Sequence, residues 1–221
     1  AKPQDISLKE AVLAAHLNYR ARFPTSYSIN QKQFTFKVEQ LKREVGLKAA
    51  PRLAALDLIH EGKFDEAKSA LETALAAESS NAPIQFLYGR IAQQEGRLDE
   101  ALEWYKKAVA NDPAMLKALF YQGEIYESKR QFDEASTRYT EVLRNNPSHN
   151  TARLGLVRVR IATGDLAGAE QLANQALAEA SAQKDREDQF LAHKVLALLN
   201  KQMNRNEHRL SHLKAAVGFK R

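Results

Sequence analysis

The 221-residue chain contains no cysteine. That excludes disulfides and thiolate chemistry, and it fits a cytoplasm and an oxidising periplasm equally well. Glycine and proline are scarce, at nine and six, while Ala, Leu, Glu, Lys and Gln dominate, a composition that favours helix over sheet. No apolar run approaches the roughly 18 residues that a membrane span needs. There is no Gly-rich phosphate loop. His16, His60, His149 and His193 have no Ser or Asp at a spacing that would build a triad. His208 and His212, four apart, would share a helical face, but Arg209, Leu210 and Ser211 lie between them and the Glu of a zinc-protease motif is missing. No catalytic residue, metal or cofactor is expected. The opening Ala-Lys-Pro-Gln-Asp fits a processed or an excised N-terminus.

Apolar residues make up 44% of the chain and charged residues 27%, the balance of a folded domain rather than a disordered one. The net charge of +6 is unevenly spread: Lys and Arg against Asp and Glu number 9 and 4 over residues 1–50, 15 and 19 over 51–180, and 9 and 4 over 181–221. A nucleic-acid binder gathers its positive charge on one face, commonly with a recognisable module. Neither occurs in the middle of the chain, so nucleic acid is not the expected partner, and contact of the basic ends with RNA or anionic membrane stands as the alternative.

What is abundant is repetition. Gly62, Gly96 and Gly164 lie on one 34-residue grid with Arg130 in the vacant slot, and Ala67, Ala101, Ala135 and Ala169 follow five residues behind. Gly89 and Gly123 are 34 apart, as are Tyr105 and Tyr139, and Pro113 and Pro147. A period in this range signals stacked supersecondary units. Segments such as Gly62-Lys-Phe-Asp-Glu-Ala67 read as a turn and a helix start, because Gly tolerates the turn and the acidic pair suits a helix N-terminus. The recurrence of Asp-Glu with the repeat marks these carboxylates as helix-start residues rather than an acid–base pair. Pro113 and Pro147 end each second helix. Small residues at Gly89, Gly123, Ala101 and Ala135 permit close helix approach, and Tyr105, Tyr139, Leu71 and Ala108 fill the space between.

At these residues the sequence resembles the tetratricopeptide repeat family. Residues 82–115 carry Gly89, Gly96, Ala101, Tyr105, Ala108 and Pro113, and residues 116–149 match nearly as well. Residues 48–81 keep Ala55, Gly62, Ala67 and Ala74, with Leu71 for the aromatic and Ser79 for the Pro. Residues 150–183 keep Gly164, Ala169 and Ala176 but place Val157 and Ala173 at two signature positions. A fifth hairpin follows over about 187–221 if the phase slips by six, aligning Ala197, Leu213 and Ala216. The resemblance implies an all-α, right-handed superhelical solenoid of antiparallel helix hairpins. The divisions expected are 1–47 as non-repeat helices, 48–183 as four repeats and 184–221 as a degenerate hairpin.

The first 47 residues leave the grid. Ser7-Leu-Lys-Glu10 has capping-box spacing, and Leu8, Val12, Ala15 and Tyr19 share a face up to Pro24. Phe34, Val38, Leu41 and Val45 mark a second amphipathic helix. Two roles are open to them: a cap on the apolar end of the stack, or a partner arm using Phe23, Tyr27, Phe34 and Phe36.

The resemblance also implies a binding face. In the family the first helices line the concave side, through the second, fifth, ninth and twelfth places of each repeat. Here those places hold Arg52, Leu56 and Ile59; Phe86, Arg90 and Gln93; Lys117, Phe120, Glu124 and Glu127; and Leu154, Arg158 and Ile161. The clamp by which one branch of the family grips a chaperone's C-terminal carboxylate is largely absent, its places holding Arg52, Leu56, Leu87, Lys117 and Tyr121. A protein or peptide partner is therefore expected, with no small-molecule substrate. Analogy with the family suggests an adaptor within a bacterial secretion, pilus or envelope assembly. Trp104 is expected to cover a joint between repeats.

Overall fold

A computed structural model describes residues 51–219, except residue 78. The non-repeat helices expected within residues 1–47 lie outside the described residues. All secondary structure among the described residues is helical: α1 (Pro51–His60), α2 (Phe64–Ala77), α3 (Ala82–Gln94), α4 (Leu98–Asn111), α5 (Leu116–Ser128), α6 (Phe132–Asn145), α7 (Asn150–Thr163), α8 (Leu166–Ala182), α9 (Arg186–Gln202) and α10 (Asn206–Phe219). Consecutive helices pair as hairpins. The chain divides into two compact units at Asn111 and Asp112. The first holds the hairpins α1/α2 and α3/α4, the second α5/α6, α7/α8 and α9/α10.

Each hairpin turns through one residue in the left-handed region: Gly62 (φ 75°), Gly96 (φ 78°), Arg130 (φ 61°), Gly164 (φ 88°) and Asn204 (φ 57°). The turn satisfies carbonyls that a helix end leaves open. The residue after the left-handed one donates its N–H five residues back, Lys63 to Leu58 O (2.8 Å), Arg97 to Ala92 O (2.8 Å), Gln131 to Tyr126 O (2.9 Å) and Arg205 to Asn200 O (2.8 Å), as in a Schellman motif. Glycine adopts this φ without cost, Asn tolerates it, and an ordinary L-residue such as Arg130 pays about 1 kcal/mol or more. No side chain crowds the Gly62, Gly96 or Gly164 turn, where an added Cβ would meet nothing within 4 Å.

The glycines inside the first helices serve a different end. A Cβ on Gly89 would stand 2.5 Å from the Tyr105 ring, and one on Gly123 would stand 2.7 Å from the Tyr139 ring. Both rings are fully buried. The other hairpins solve the same packing problem with other volumes. The first pairs Ala55 with Leu71 and the fourth pairs Val157 with Ala173, all four at 0% exposure. The first-helix residue grows as its partner shrinks, so the space between the helices stays filled. Tyr139 is held from a second side: a Cβ on Gly155, one hairpin further on, would lie 2.6 Å from its ring.

The six-residue change of phase resolves into two lengthened helices. α8 and α9 each have 17 residues, against 14 in α6 and α7. Between them Lys184 (φ 55°) makes the same left-handed turn, with Asp185 N–H on Ala180 O at 2.9 Å. Asp185 then caps α9, its carboxylate accepting from the N–H groups of Glu187 and Asp188 at 3.0 Å each. The polar stretch around 180–188 is thus a helix end, a tight turn and a helix start.

Buried polar side chains tie the joints between hairpins. Gln85 donates to Ser79 O six residues back (2.7 Å) and accepts from Asn111 at the end of its own second helix (2.9 Å). Arg153, 68 residues later, repeats the design: it donates to Pro147 O, to Glu179 at 2.5 Å and to Asn150 at 2.6 Å. Leu119 holds the intervening place.

Replacing Gly89 by Ala should cost about 1 to 3 kcal/mol through overpacking, and Gly96→Ala about 1 kcal/mol through its φ alone. Gly89→Ala combined with Tyr105→Leu, which copies the first hairpin's Ala and Leu, should lose at least about 1 kcal/mol less than the two single changes summed. Urea denaturation of the four variants checks this, and strict additivity at the first pair would show that ring and glycine do not interact.

Candidate partner-binding face

The first helices place the expected face residues in three different situations. Leu154 is in the core, 1% exposed, within a cluster that includes Val157, Ala173, Val195 and Leu196, and Ile59 is likewise buried. Arg52, Leu56, Arg90, Gln93, Glu124, Glu127, Arg158 and Ile161 are half-buried, and Lys117 is exposed. Phe86 and Phe120 are half-buried at equivalent places. Each leans on the tyrosine of its own hairpin, Phe86 on Tyr105 with ring centroids 5.6 Å apart and Phe120 on Tyr139 at 5.8 Å. Phe120 also stacks on His149 at 5.5 Å, with 29° between the planes.

The twelfth-place residues do something the sequence pattern did not announce. Gln93 accepts a hydrogen bond from the Tyr105 hydroxyl at 2.7 Å, and Glu127 accepts one from the Tyr139 hydroxyl at 2.7 Å. A buried phenol without a partner would cost about 1 to 3 kcal/mol. The signal was available, because each acceptor precedes its tyrosine by twelve residues on the same grid. Glu127 carries a second load: Arg158 donates to it through Nε at 2.7 Å and through Nη2 at 2.9 Å. Burial opposes the charge on Arg158, and the Glu127 hydrogen bonds outweigh that penalty, so its pKa is raised. Burial, reinforced by the Glu127 carboxylate, pushes the Tyr139 phenol far above its ordinary value and keeps it a donor. Arg158 and Glu127, read from sequence as groove charges of opposite sign, thus satisfy each other and anchor the ring that fills the hairpin.

Trp104 packs within its own hairpin, stacked on Tyr88 at 4.9 Å with Lys107 over its ring at 4.5 Å. The joint itself is spanned by Tyr88, whose hydroxyl donates to Lys68 O at 3.3 Å, and by the Lys68–Glu95 ion pair at 2.9 Å. His212 meets His193 of α9 across the last hairpin, Nδ1 to Nδ1 at 3.0 Å. The ring centroids are 5.2 Å apart, so the two nitrogens face each other head-on along a hydrogen bond. Among the described residues no three His, Cys, Asp or Glu side chains group as metal ligands, and no helix is long and apolar enough to cross a membrane.

A family model described as tetratricopeptide repeat matches residues 52–115 and again 117–184. The chain belongs to the tetratricopeptide repeat family. Solved tetratricopeptide structures align over most of it. MamA AMB-1 is 22% identical, with a TM-score of 0.60 over 77% of this chain and 98% of that one. TTC0263, described as a thermophilic TPR protein of Thermus thermophilus, is 23% identical, with a TM-score of 0.61 over 76% of this chain and 89% of that one. At these identities the likeness speaks to the fold. No curated protein matches the sequence. As a tetratricopeptide protein the chain is a helical-repeat scaffold for protein interaction, a family that is typically non-enzymatic, and its α9/α10 hairpin lies beyond the matched span.

Two outcomes follow for this tetratricopeptide core. Glu127→Gln, which keeps an acceptor for Tyr139 as Gln93 does for Tyr105, should cost about 1 kcal/mol, and Glu127→Ala about 2 to 3, because it strands both the phenol and Arg158. Urea midpoints decide; equal losses would mean the phenol does not need its acceptor. The histidine pair sets a pH dependence. Burial and the facing His212 hold His193 below its ordinary pKa, and burial and His208 do the same for His212. A base with a depressed folded pKa contributes fully above its unfolded pKa of about 6.5. It loses that contribution as pH falls through the folded value, because the unfolded chain then binds more protons. The thermal midpoint should therefore fall more steeply below about pH 6.5 in the wild type than in His193→Gln, and parallel curves would show that the pair is not coupled to folding.

Proposed function

We propose that the protein is an adaptor that holds a peptide or a helix of a partner protein on the first-helix faces of its hairpins. The contacting residues are Arg52, Phe86, Arg90, Gln93, Lys117, Phe120, Glu124, Glu127 and Arg158, with Leu154 supporting them from the core. The observation that carries this reading is the pair of phenylalanines at equivalent places. Each keeps part of its ring in water while a buried, hydrogen-bonded tyrosine holds it from behind. An anchor already immobilised in the free protein loses little entropy on binding, and partly exposed aromatics backed by rigid structure are the usual centres of binding energy. Of the remaining positions, Arg52, Arg90, Lys117 and Glu124 supply charges of both signs, suited to orienting a peptide rather than gripping a single carboxylate, while Glu127 and Arg158, paired with each other, give the face a fixed polar edge. A bacterial secretion, pilus or envelope assembly is the setting proposed, by family analogy alone.

The partner is to be identified by crosslinking in native cells and then titrated calorimetrically. Changing both Phe86 and Phe120 to Ala should weaken its binding by about 2 to 4 kcal/mol. Unchanged affinity together with a lowered thermal midpoint would assign the rings to the stack and move the partner to another surface.

A further inference from the structure

The left-handed residue after each first helix gives a register that survives the change of phase. Six residues before Arg130, Gly164 and Asn204 stand Glu124, Arg158 and Leu198. Three residues before them stand Glu127, Ile161 and Lys201, and ten residues before them Phe120, Leu154 and Lys194. The face followed through α5 and α7 therefore continues on α9 as Lys194, Leu198 and Lys201, an i, i+4, i+7 stripe on one side of the helix. Its character changes there. In α7 this row is Leu154 in the core, Arg158 bound to Glu127 and Ile161 half-buried. In α9 all three side chains are exposed, with Leu198 at 40%.

The two ammonium groups are uncompensated. Neither Lys194 nor Lys201 meets a carboxylate among the described residues, whereas the neighbouring Arg153, Arg158, Arg160 and Arg205 each do. Lys194 lies over the Phe190 ring at 5.3 Å, a contact that steadies the ammonium without neutralising it. Lys194 and Lys201 stand seven positions apart, about 10 Å along the axis, a span that falls between about two and four residues of extended chain and that the long lysine side chains can widen. Leu198 lies between them. An apolar contact flanked by two cations at that span is complementary to an extended segment with acidic residues four apart and an apolar residue midway between them, all three on one face. A phosphate backbone is a poorer match, since two cations give little counter-ion release and the same row carries Glu124 and Glu127 on α5.

We propose that the α9 face formed by Lys194, Leu198 and Lys201 docks an acidic segment of a partner protein, with an aliphatic or aromatic side chain seated on Leu198 and carboxylates paired with the two lysines. This rests on the reading that first-helix faces bind the partner, and it names the chemistry of the segment that reaches the fifth hairpin.

The test uses a fluorescent synthetic peptide with Leu residues set midway between Glu residues four apart, measured by anisotropy against the full chain. Binding should weaken about tenfold in Leu198→Ser and at least as much in Lys194→Glu combined with Lys201→Glu. It should fall with added salt and disappear when the peptide's Glu residues are replaced by Lys. All three positions are exposed, so circular dichroism melts of the variants should match the wild type. Equal binding by the variants, equal binding of the Lys-substituted peptide, or displacement by single-stranded oligonucleotide or anionic vesicles in preference to the acidic peptide would each overturn the proposal. A peptide that does not bind overturns the acidic assignment alone, because titration of the native partner against Phe86 and Phe120 reads the first-helix face independently. A native partner indifferent to the phenylalanine and the α9 changes alike would overturn both.

Discussion

A tyrosine ring lying where a Cβ would otherwise stand is the contact on which the central hairpins depend. Gly89 and Gly123 leave the space, Tyr105 and Tyr139 occupy it, and the phenols end on Gln93 and Glu127. Three requirements meet in that arrangement. The helices must approach closely, the ring must be dry, and its hydroxyl must still find an acceptor. A rigid ring with a satisfied hydroxyl is also a firm floor for whatever rests on it, and Phe86 and Phe120 rest there. The stability of the hairpin and the display of its apolar surface are one piece of packing.

That piece was only half legible in the sequence. The 34-residue recurrence of Gly, Ala, Tyr and Pro marks small and large positions, and steric complementarity leaves few ways to combine them. The left-handed turns followed from the same grid, and Arg130 shows its strength: the place imposes φ 61° on a residue that dislikes it. Asn204 reveals the register of the last hairpin even though α8 and α9 have each grown. Charge was harder to read. Position alone placed Glu127 and Arg158 in a groove, but their mutual pairing depends on side-chain reach between α5 and α7, which periodicity does not encode. Leu154 went to the core for a related reason: its place is the one that holds Phe86 and Phe120 in earlier repeats, and a shorter aliphatic there closes onto Val157 and Leu196 instead of standing clear.

Satisfying a charge internally and leaving it open to a partner are alternatives, and the second unit uses both. Arg153 is spent on Asn150, Glu179 and the Pro147 carbonyl, and Arg158 on Glu127. Each such guanidinium is a structural tie whose loss would leave buried acceptors bare. On α9, Lys194 and Lys201 meet no carboxylate among the described residues. The same helical row passes from a region where charge holds the protein together to one where charge faces outward, and the change falls in the hairpin beyond the family match.

The second wall around Tyr139 gives the repeats an order. Gly155 belongs to the hairpin that follows, and it is hollow where the preceding ring projects. A chain with its hairpins rearranged would bring that hollow against Leu71 and open a void, or would drive Tyr139 into a first helix that carries a side chain there. The units look interchangeable in their 34-residue grammar, yet their surfaces are keyed to particular neighbours. Recombination that preserved every signature residue could still assemble a chain that does not close.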